Sequence, residues 1–346
     1  MTTRLACGAV PAAVLCAARA LAQDAPLVEI REAQAARRVE VSVAGRPFTA
    51  YVWPERLMKP VLYPIRTARG TLVTRGFPLD PRPGERVDHP HHVGLWFNYG
   101  DVNGVDFWNN SEALPAAGQA KMGRIQHTAV VSRSDGRGRG ELVVTSDWRM
   151  PDGSSVLGER TRFVFHADRE TRGIERITEL TAGERQVRFA DNKEGVLGLR
   201  VARALEEPSD KPELFTDASG KPTAVPVLDN AGVNGRYASS EGIEGPAVWG
   251  TRGRWMALAG RVADEDVVLL MVDHSGNPGY PTYWHARGYG LFAANPLGQA
   301  VFSNGKQALN FTLAPRAKAT FRHLLAVLPG PFSRERAEQA AAAFAK

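Results

Sequence analysis

Apolar and polar residues alternate with a period of two at many points along the chain, the spacing of a strand with one covered face. Arg38-Val39-Glu40-Val41-Ser42-Val43 and Arg254-Trp255-Met256-Ala257-Leu258-Ala259 are the clearest cases. Gly173 to Thr181 alternates less regularly through Ile174, Ile177 and Leu180, which predicts a bulge there. Val267–Val272 is a continuous apolar run and Phe321–Leu328 nearly so, as in strands buried on both faces. Turn signals such as Ser134-Asp135-Gly136, Pro151-Asp152-Gly153 and Ala218-Ser219-Gly220 separate such runs. A helix is expected only at the C-terminus, where Ser333 can cap it, Glu335 complements its dipole and Ala337 to Ala345 are strong formers. The pattern predicts an all-β fold: one large β-sandwich over 23–346 with a short C-terminal helix. Residues 205–246, rich in Pro, Ser, Asp and Gly, are expected as a long excursion from the sheet.

Composition narrows the function. The 346 residues hold 34 Gly and 23 Pro, too many for a coiled coil, and 43% hydrophobic with 23% charged residues excludes wholesale disorder. No apolar run reaches the roughly 18 residues of a membrane-spanning helix. The net charge of +6 is scattered, so nucleic acid is not an expected partner. Residues 1–22 read as a secretory signal: Arg4 precedes an apolar stretch, and Ala20-Leu21-Ala22 gives a small-x-small cleavage pattern. A periplasmic or secreted protein is therefore expected. The only two cysteines, Cys7 and Cys16, lie in that segment, so no disulfide or thiol chemistry is expected beyond it. No Gly-rich phosphate loop joins a strand to a helix, and no cofactor is expected. Nothing in the sequence bears on oligomeric state.

Reactive side chains concentrate in three places. The densest runs from Asp88-His89-Pro90-His91-His92 through Trp96, Asn103, Asp106 and Trp108. In an extended segment His89 and His91 project to one side and His92 to the other, with Pro90 keeping them at a strand entrance or rim. Imidazoles there titrate near neutral pH, which suits proton transfer. His89 and His91 also have a metal-ligand spacing, but Trp96 stands where a jelly-roll iron site places Glu; no metal is expected, with His89 and His91 as the alternative ligands. The second cluster is Asp273, His274 and Asn277, followed by Trp284, His285 and Arg287. The third is Lys193-Glu194, between two strands.

Asp88-His-Pro-His-His-x-Gly-Leu-Trp-Phe, continued by Gly100-Asp-Val-Asn-Gly-Val-Asp-Phe-Trp108, resembles the signature of the bacterial family labelled "methane oxygenase PmoA". Lys193-Glu194-Gly195 to Gly198-x-Arg200, and Asp273-His274 through Trp284-His285-Ala286-Arg287, resemble it too, over about residues 50–330. Val93 departs from it, standing where the family often has Arg. A methane monooxygenase subunit spans the membrane several times and this chain has no span, so the label does not fix the reaction. By analogy of architecture, a β-rich unit with histidines on a rim resembles the galactose-mutarotase-like supersandwich, which binds sugars.

The leading expectation is an exported carbohydrate-active enzyme of glycoside hydrolase, lyase or epimerase type. His91 or His92 is the expected proton donor, and Asp273 or Glu194 the base. Trp96, Trp108 and Trp284 are expected to stack on sugar faces. His89, Asn103, Asp106, Lys193, His274, Asn277, His285 and Arg287 complete the expected substrate contacts. A non-catalytic periplasmic sugar-binding protein, and a metal-dependent oxygenase or hydrolase using His89 and His91, are the alternatives.

Overall fold

The computed structural model describes residues 25–345; the expected signal segment and both cysteines lie outside them. Two large antiparallel sheets dominate. In spatial order the nine-stranded sheet comprises Tyr283–Arg287, Leu291–Asn295, Gly195–Arg200, Leu95–Tyr99, Val61–Leu62, Arg46–Val52, Arg38–Val43, Leu27–Ala33 and Gly136–Arg137. The eight-stranded sheet comprises Arg236–Ser239, Trp255–Val262, Glu265–Asp273, Lys318–Pro329, Arg172–Ala182, Ser155–Ala167, Arg139–Arg149 and Arg124–Ser134. Their inner faces meet in one apolar core that takes Val39, Val41, Phe97 and Leu199 from the first sheet and Leu258, Leu269, Phe163 and Leu325 from the second. The fold is an all-β sandwich with a short C-terminal helix, Arg334–Phe344. Among the described residues no helix is long and apolar enough to cross a membrane.

The apolar runs at 267–272 and 321–328 pair with each other. One face joins the inter-sheet core, and Val268, Leu270, Val272 and Ala326 on the other are covered by Ala337, Ala341 and Phe344 of the helix. Ser333 caps that helix, its hydroxyl accepting from the Arg336 amide. Two expectations change. Arg172–Ala182 pairs in continuous register on both sides, so there is no bulge at 173–181. Its irregular pattern arises because Arg176 occupies an inward position. There it bonds Glu159 at 2.6 Å and lies over the Phe97 and Phe163 rings, so a buried ion pair fills an apolar slot. The excursion is also shorter than expected, because Arg236–Ser239 is the edge strand of the eight-stranded sheet.

Candidate functional site

The first four strands of the nine-stranded sheet, from Tyr283–Arg287 at its edge to Leu95–Tyr99, build the site on the face turned away from the second sheet. Alternation decides which side chains reach it. In Leu95–Tyr99, the residues Leu95, Phe97 and Tyr99 enter the inter-sheet core, and Trp96 faces outward into a separate apolar cluster with Val93, Trp108, Leu291 and Ala293. In Tyr283–Arg287, Trp284 and Ala286 face the core, while His285 and Arg287 line a cavity of about 370 Å³. His89, His91, His92, Asn109, Lys193, Glu194 and Tyr289 complete its lining. The three histidines of the first sequence cluster, His285 and Arg287 of the second, and Lys193 and Glu194 of the third thus converge on one polar concavity. Its volume is within the usual range of small-molecule sites, about 300–1,000 Å³.

The histidines are not on an extended segment. His89 to His92 form a tight turn, closed by the His92 amide donating to the His89 carbonyl at 2.9 Å, just before the strand begins. All three rings therefore lie together: His89 and His92 are parallel with centroids 4.8 Å apart, and His91 meets His92 edge-on at 4.3 Å. Tyr289 stacks on His89 at 4.8 Å, and Trp96 stacks beneath His92 at 5.2 Å. His89 has φ +40°, a left-handed backbone that is disfavoured for a side-chain-bearing residue and more so before proline.

Two buried arginines hold this turn. Arg75 donates to the carbonyls of Arg86, Asp88, His89 and His92 at 2.9–3.1 Å, and to the Asp88 carboxylate. Arg200 donates to the same Asp88 oxygen at 2.6 Å and lies over the Tyr289 ring at 5.1 Å. Burial would raise the Asp88 pKa, but Arg200, the His89 hydrogen bond and Arg75 together hold it well below the carboxylate range. Its second oxygen accepts from His89 Nδ1 at 2.7 Å. That fixes the proton on Nδ1 and leaves Nε2 as the ring's open position. His89 is 41% exposed.

The other imidazoles are held neutral. Burial, with Lys59 and His89 nearby, pushes His91 down to about 2, and burial, with His91 and Arg200, puts His92 well below its usual value. His92 is 1% exposed. Burial, with Lys193 and Arg287 adjacent, lowers His285 to about 3. The expectation that His91 or His92 titrates near neutral pH is corrected: neither is a charged proton donor there. His285 donates its Nδ1 proton to the Lys193 carbonyl at 3.0 Å, since a carbonyl only accepts, and its Nε2 is a free acceptor. Glu194 lies 3.7 Å from His285 Nδ1 and pairs with Lys193. Burial pushes the Tyr289 phenol up to about 12, so it keeps its proton.

Other expected residues take different roles. Trp96, Trp108 and Trp284 are all 0% exposed, so none offers a face to a sugar; the first two form the floor under the histidines and the third belongs to the inter-sheet core. Asp106 spends its carboxylate on the amides of Trp108 and Asn109 and on the Asn109 side chain, which positions Asn109 in the lining. Asn103 sits in a turn away from this cavity, bonded to the Arg188 amide at 2.8 Å. Asp273, His274 and Asn277 belong to the other sheet's end and are not in the lining. Asp273 is buried there, bonded by Asn277 at 2.6 Å, with His323 at 3.4 Å; His274 accepts from Arg322. Burial raises Asp273 to about 7.

Sequence reasoning assigned no role to Arg75, Lys59, Asp88, Asn109, Arg200 or Tyr289. Asn109 and Tyr289 adjoin the motifs, and Asp88 and Arg200 lie inside them. Arg75 and Lys59 carry no local signal. Lys59 is 4% exposed, its ammonium position bonded to the His91 carbonyl at 2.8 Å, and burial lowers it to about 7. Among the described residues, no three His, Cys, Asp or Glu side chains are grouped so as to hold a metal ion.

In solved structures the chain is similar to a galactose mutarotase-like protein from Clostridium acetobutylicum, at 9% identity and TM-score 0.36, over 90% of this chain and 100% of that one. It is similar to the GH36 alpha-galactosidase AgaA from Geobacillus stearothermophilus at 11% identity and TM-score 0.36, over 88% of this chain and 40% of that one. A glycoside hydrolase family 97 enzyme from Pseudoalteromonas sp. strain K8 is similar at 9% identity and TM-score 0.31, over 87% of this chain and 34% of that one. No curated protein matches the sequence. The methane-oxygenase label of the sequence resemblance is not the description under which the family matches. Residues 38–342, which carry every strand of the site, match the model of a family of unknown function (DUF6807), and the chain belongs to that family.

Proposed function

We propose that this is an exported carbohydrate-active enzyme working by imidazole acid/base chemistry. The observation that carries the reading is the Asp88–His89 pair on the polar cavity: an ionised carboxylate fixes the tautomer and aim of a partly exposed imidazole. The remaining lining suits a polyhydroxylated ligand. Arg287, Lys193, Asn109 and the Tyr289 phenol can donate to hydroxyls, and His285 Nε2 and Glu194 can accept. In this reading His89 Nε2 removes a proton from the bound sugar, Asp88 stabilises the imidazolium that forms, the Tyr289 hydroxyl donates a hydrogen bond beside it, and the imidazolium returns the proton to the product.

Among the described residues Glu194 is the sole carboxylate in the lining, whereas hydrolysis of a glycosidic bond ordinarily uses two. The arrangement therefore favours epimerase or lyase chemistry, in which an imidazole takes a proton from the sugar, over the hydrolase type. The test is a panel of mono- and oligosaccharides, scored for epimerised or unsaturated products and for reducing-end release. Turnover lost in His89→Gln supports the reading; binding without turnover in the wild type would make the protein a sugar-binding protein instead. Export rests on residues 1–22, and N-terminal sequencing of the protein from its host should begin near Gln23.

A further inference from the structure

The histidine turn has a second side. His91, which lines the polar cavity, also lines a groove of about 330 Å³ with Leu57, Val61, Phe77, Leu79 and Val93. The two concavities share this one side chain, and the groove is mostly apolar where the cavity is mostly polar. Its two nearest cations are already engaged: Lys59 donates to the His91 carbonyl, and Arg56 to the Leu79 carbonyl at 2.8 Å. Asn110, Ser111 and Glu112 also line the groove, but a sugar there would set much of its hydroxylated surface against Leu57, Phe77 and Leu79, which is unfavourable. An aryl or alkyl group there removes apolar surface from water on both sides.

We propose that the ligand is bipartite: a glycoside whose sugar occupies the polar cavity and whose apolar aglycone, an aryl or short alkyl group, passes His91 into the groove. This rests on the carbohydrate reading above and names the substrate class for it. His91 is then the side chain beside the glycosidic oxygen. Its imidazole, held uncharged, meets both a hydroxylated and an apolar surface without the cost of burying a charge against the aglycone.

The test compares methyl and phenyl glycosides of glucose, galactose and xylose, in both anomers, by calorimetric titration of the intact protein. Two variants at half-buried groove positions, Leu57→Asp and Leu79→Asp, are measured beside the wild type, with melting curves to verify folding. The expected result is at least tenfold tighter binding of a phenyl glycoside than of its methyl counterpart, with the difference reduced to under threefold in either variant. Equal affinity for the methyl and phenyl compounds would overturn this inference and leave the carbohydrate reading intact. A phenyl advantage that survives both substitutions would also overturn it, by putting the aglycone elsewhere. Failure of every glycoside to bind would overturn this inference, and the carbohydrate reading then falls only if the mono- and oligosaccharide panel also fails.

Discussion

Asp88 divides its carboxylate between two tasks: one oxygen accepts from Arg200 at 2.6 Å, and the other accepts from His89 Nδ1 at 2.7 Å. The relationship explains how a strained turn and an aimed imidazole coexist. Arg200 and Arg75 are buried cations that need a counter-charge, and the residue supplying it also orients the one histidine that is substantially exposed on the cavity. Structure and chemistry are therefore coupled at Asp88 and separable at His89.

That separation is testable. His89→Gln should lower turnover on a processed sugar about 100-fold or more, the usual contribution of a positioned acid/base group, with little change in melting temperature. Asp88→Asn should lower turnover and also destabilise the fold by about 3–5 kcal/mol, since it leaves two buried guanidinium groups without their carboxylate. Denaturant midpoints of the two variants check the contrast. Equal destabilisation by both would make His89 a structural residue.

Gly198 reports on the floor of the site. It pairs with Trp96 on the neighbouring strand, and a Cβ there would stand 2.4 Å from the indole ring. Gly198→Ala should displace Trp96 and the His92 ring stacked on it, at a cost of about 1–3 kcal/mol from overpacking. Gly158→Ala is the control, because nothing lies within 4 Å of a Cβ at that strand position. Thermal melts should separate the two variants, and lost activity should accompany only the first.

The sequence made the sandwich legible through period-two alternation and through the two apolar runs that later proved covered on both faces. The clustering of chemistry in His89–His92, Lys193-Glu194 and His285–Arg287 was legible as well, since those side chains now share one cavity. What it could not convey was rotation about the strand axis and distance across the fold. Trp96 and Trp284 lie on opposite faces of one sheet, and both are sealed, though each reads as an equally good sugar platform. Asp273 carries as strong a local motif as Glu194, yet it ends a strand of the other sheet. Arg75 is the clearest omission, because its role consists of bonds to four carbonyls that no local pattern encodes.

The buried imidazoles also set how stability depends on pH. His285 and His323, 2% and 1% exposed, are each lowered by burial from 6.5 to about 3 in the fold. Between those limits the unfolded chain binds protons that the folded one refuses, so stability rises with pH across about 3 to 6.5 and is lost on acidification. Each group contributes a slope of up to about 1.4 kcal/mol per pH unit in that window. Asp273 acts in the opposite sense. Its carboxyl is raised by burial from 3.8 to about 7, so the folded chain holds a proton that the unfolded one releases, and stability falls as pH rises through that range. His91 and His92, lowered by burial in the same sense, add to this, so with four imidazoles against one carboxyl the net expectation is a melting temperature that drops between pH 6.5 and 4. His285→Gln should flatten that drop by removing one contributor. Asp273→Asn keeps the shape and its bond from Asn277 without the charge, and should raise the melting temperature most above pH 7. Melting curves for the three proteins from pH 4 to 8 decide it. A His285→Gln profile parallel to the wild type below pH 6 would mean that the imidazole is already charged in the fold, and the free acceptor assigned to its Nε2 would then be withdrawn.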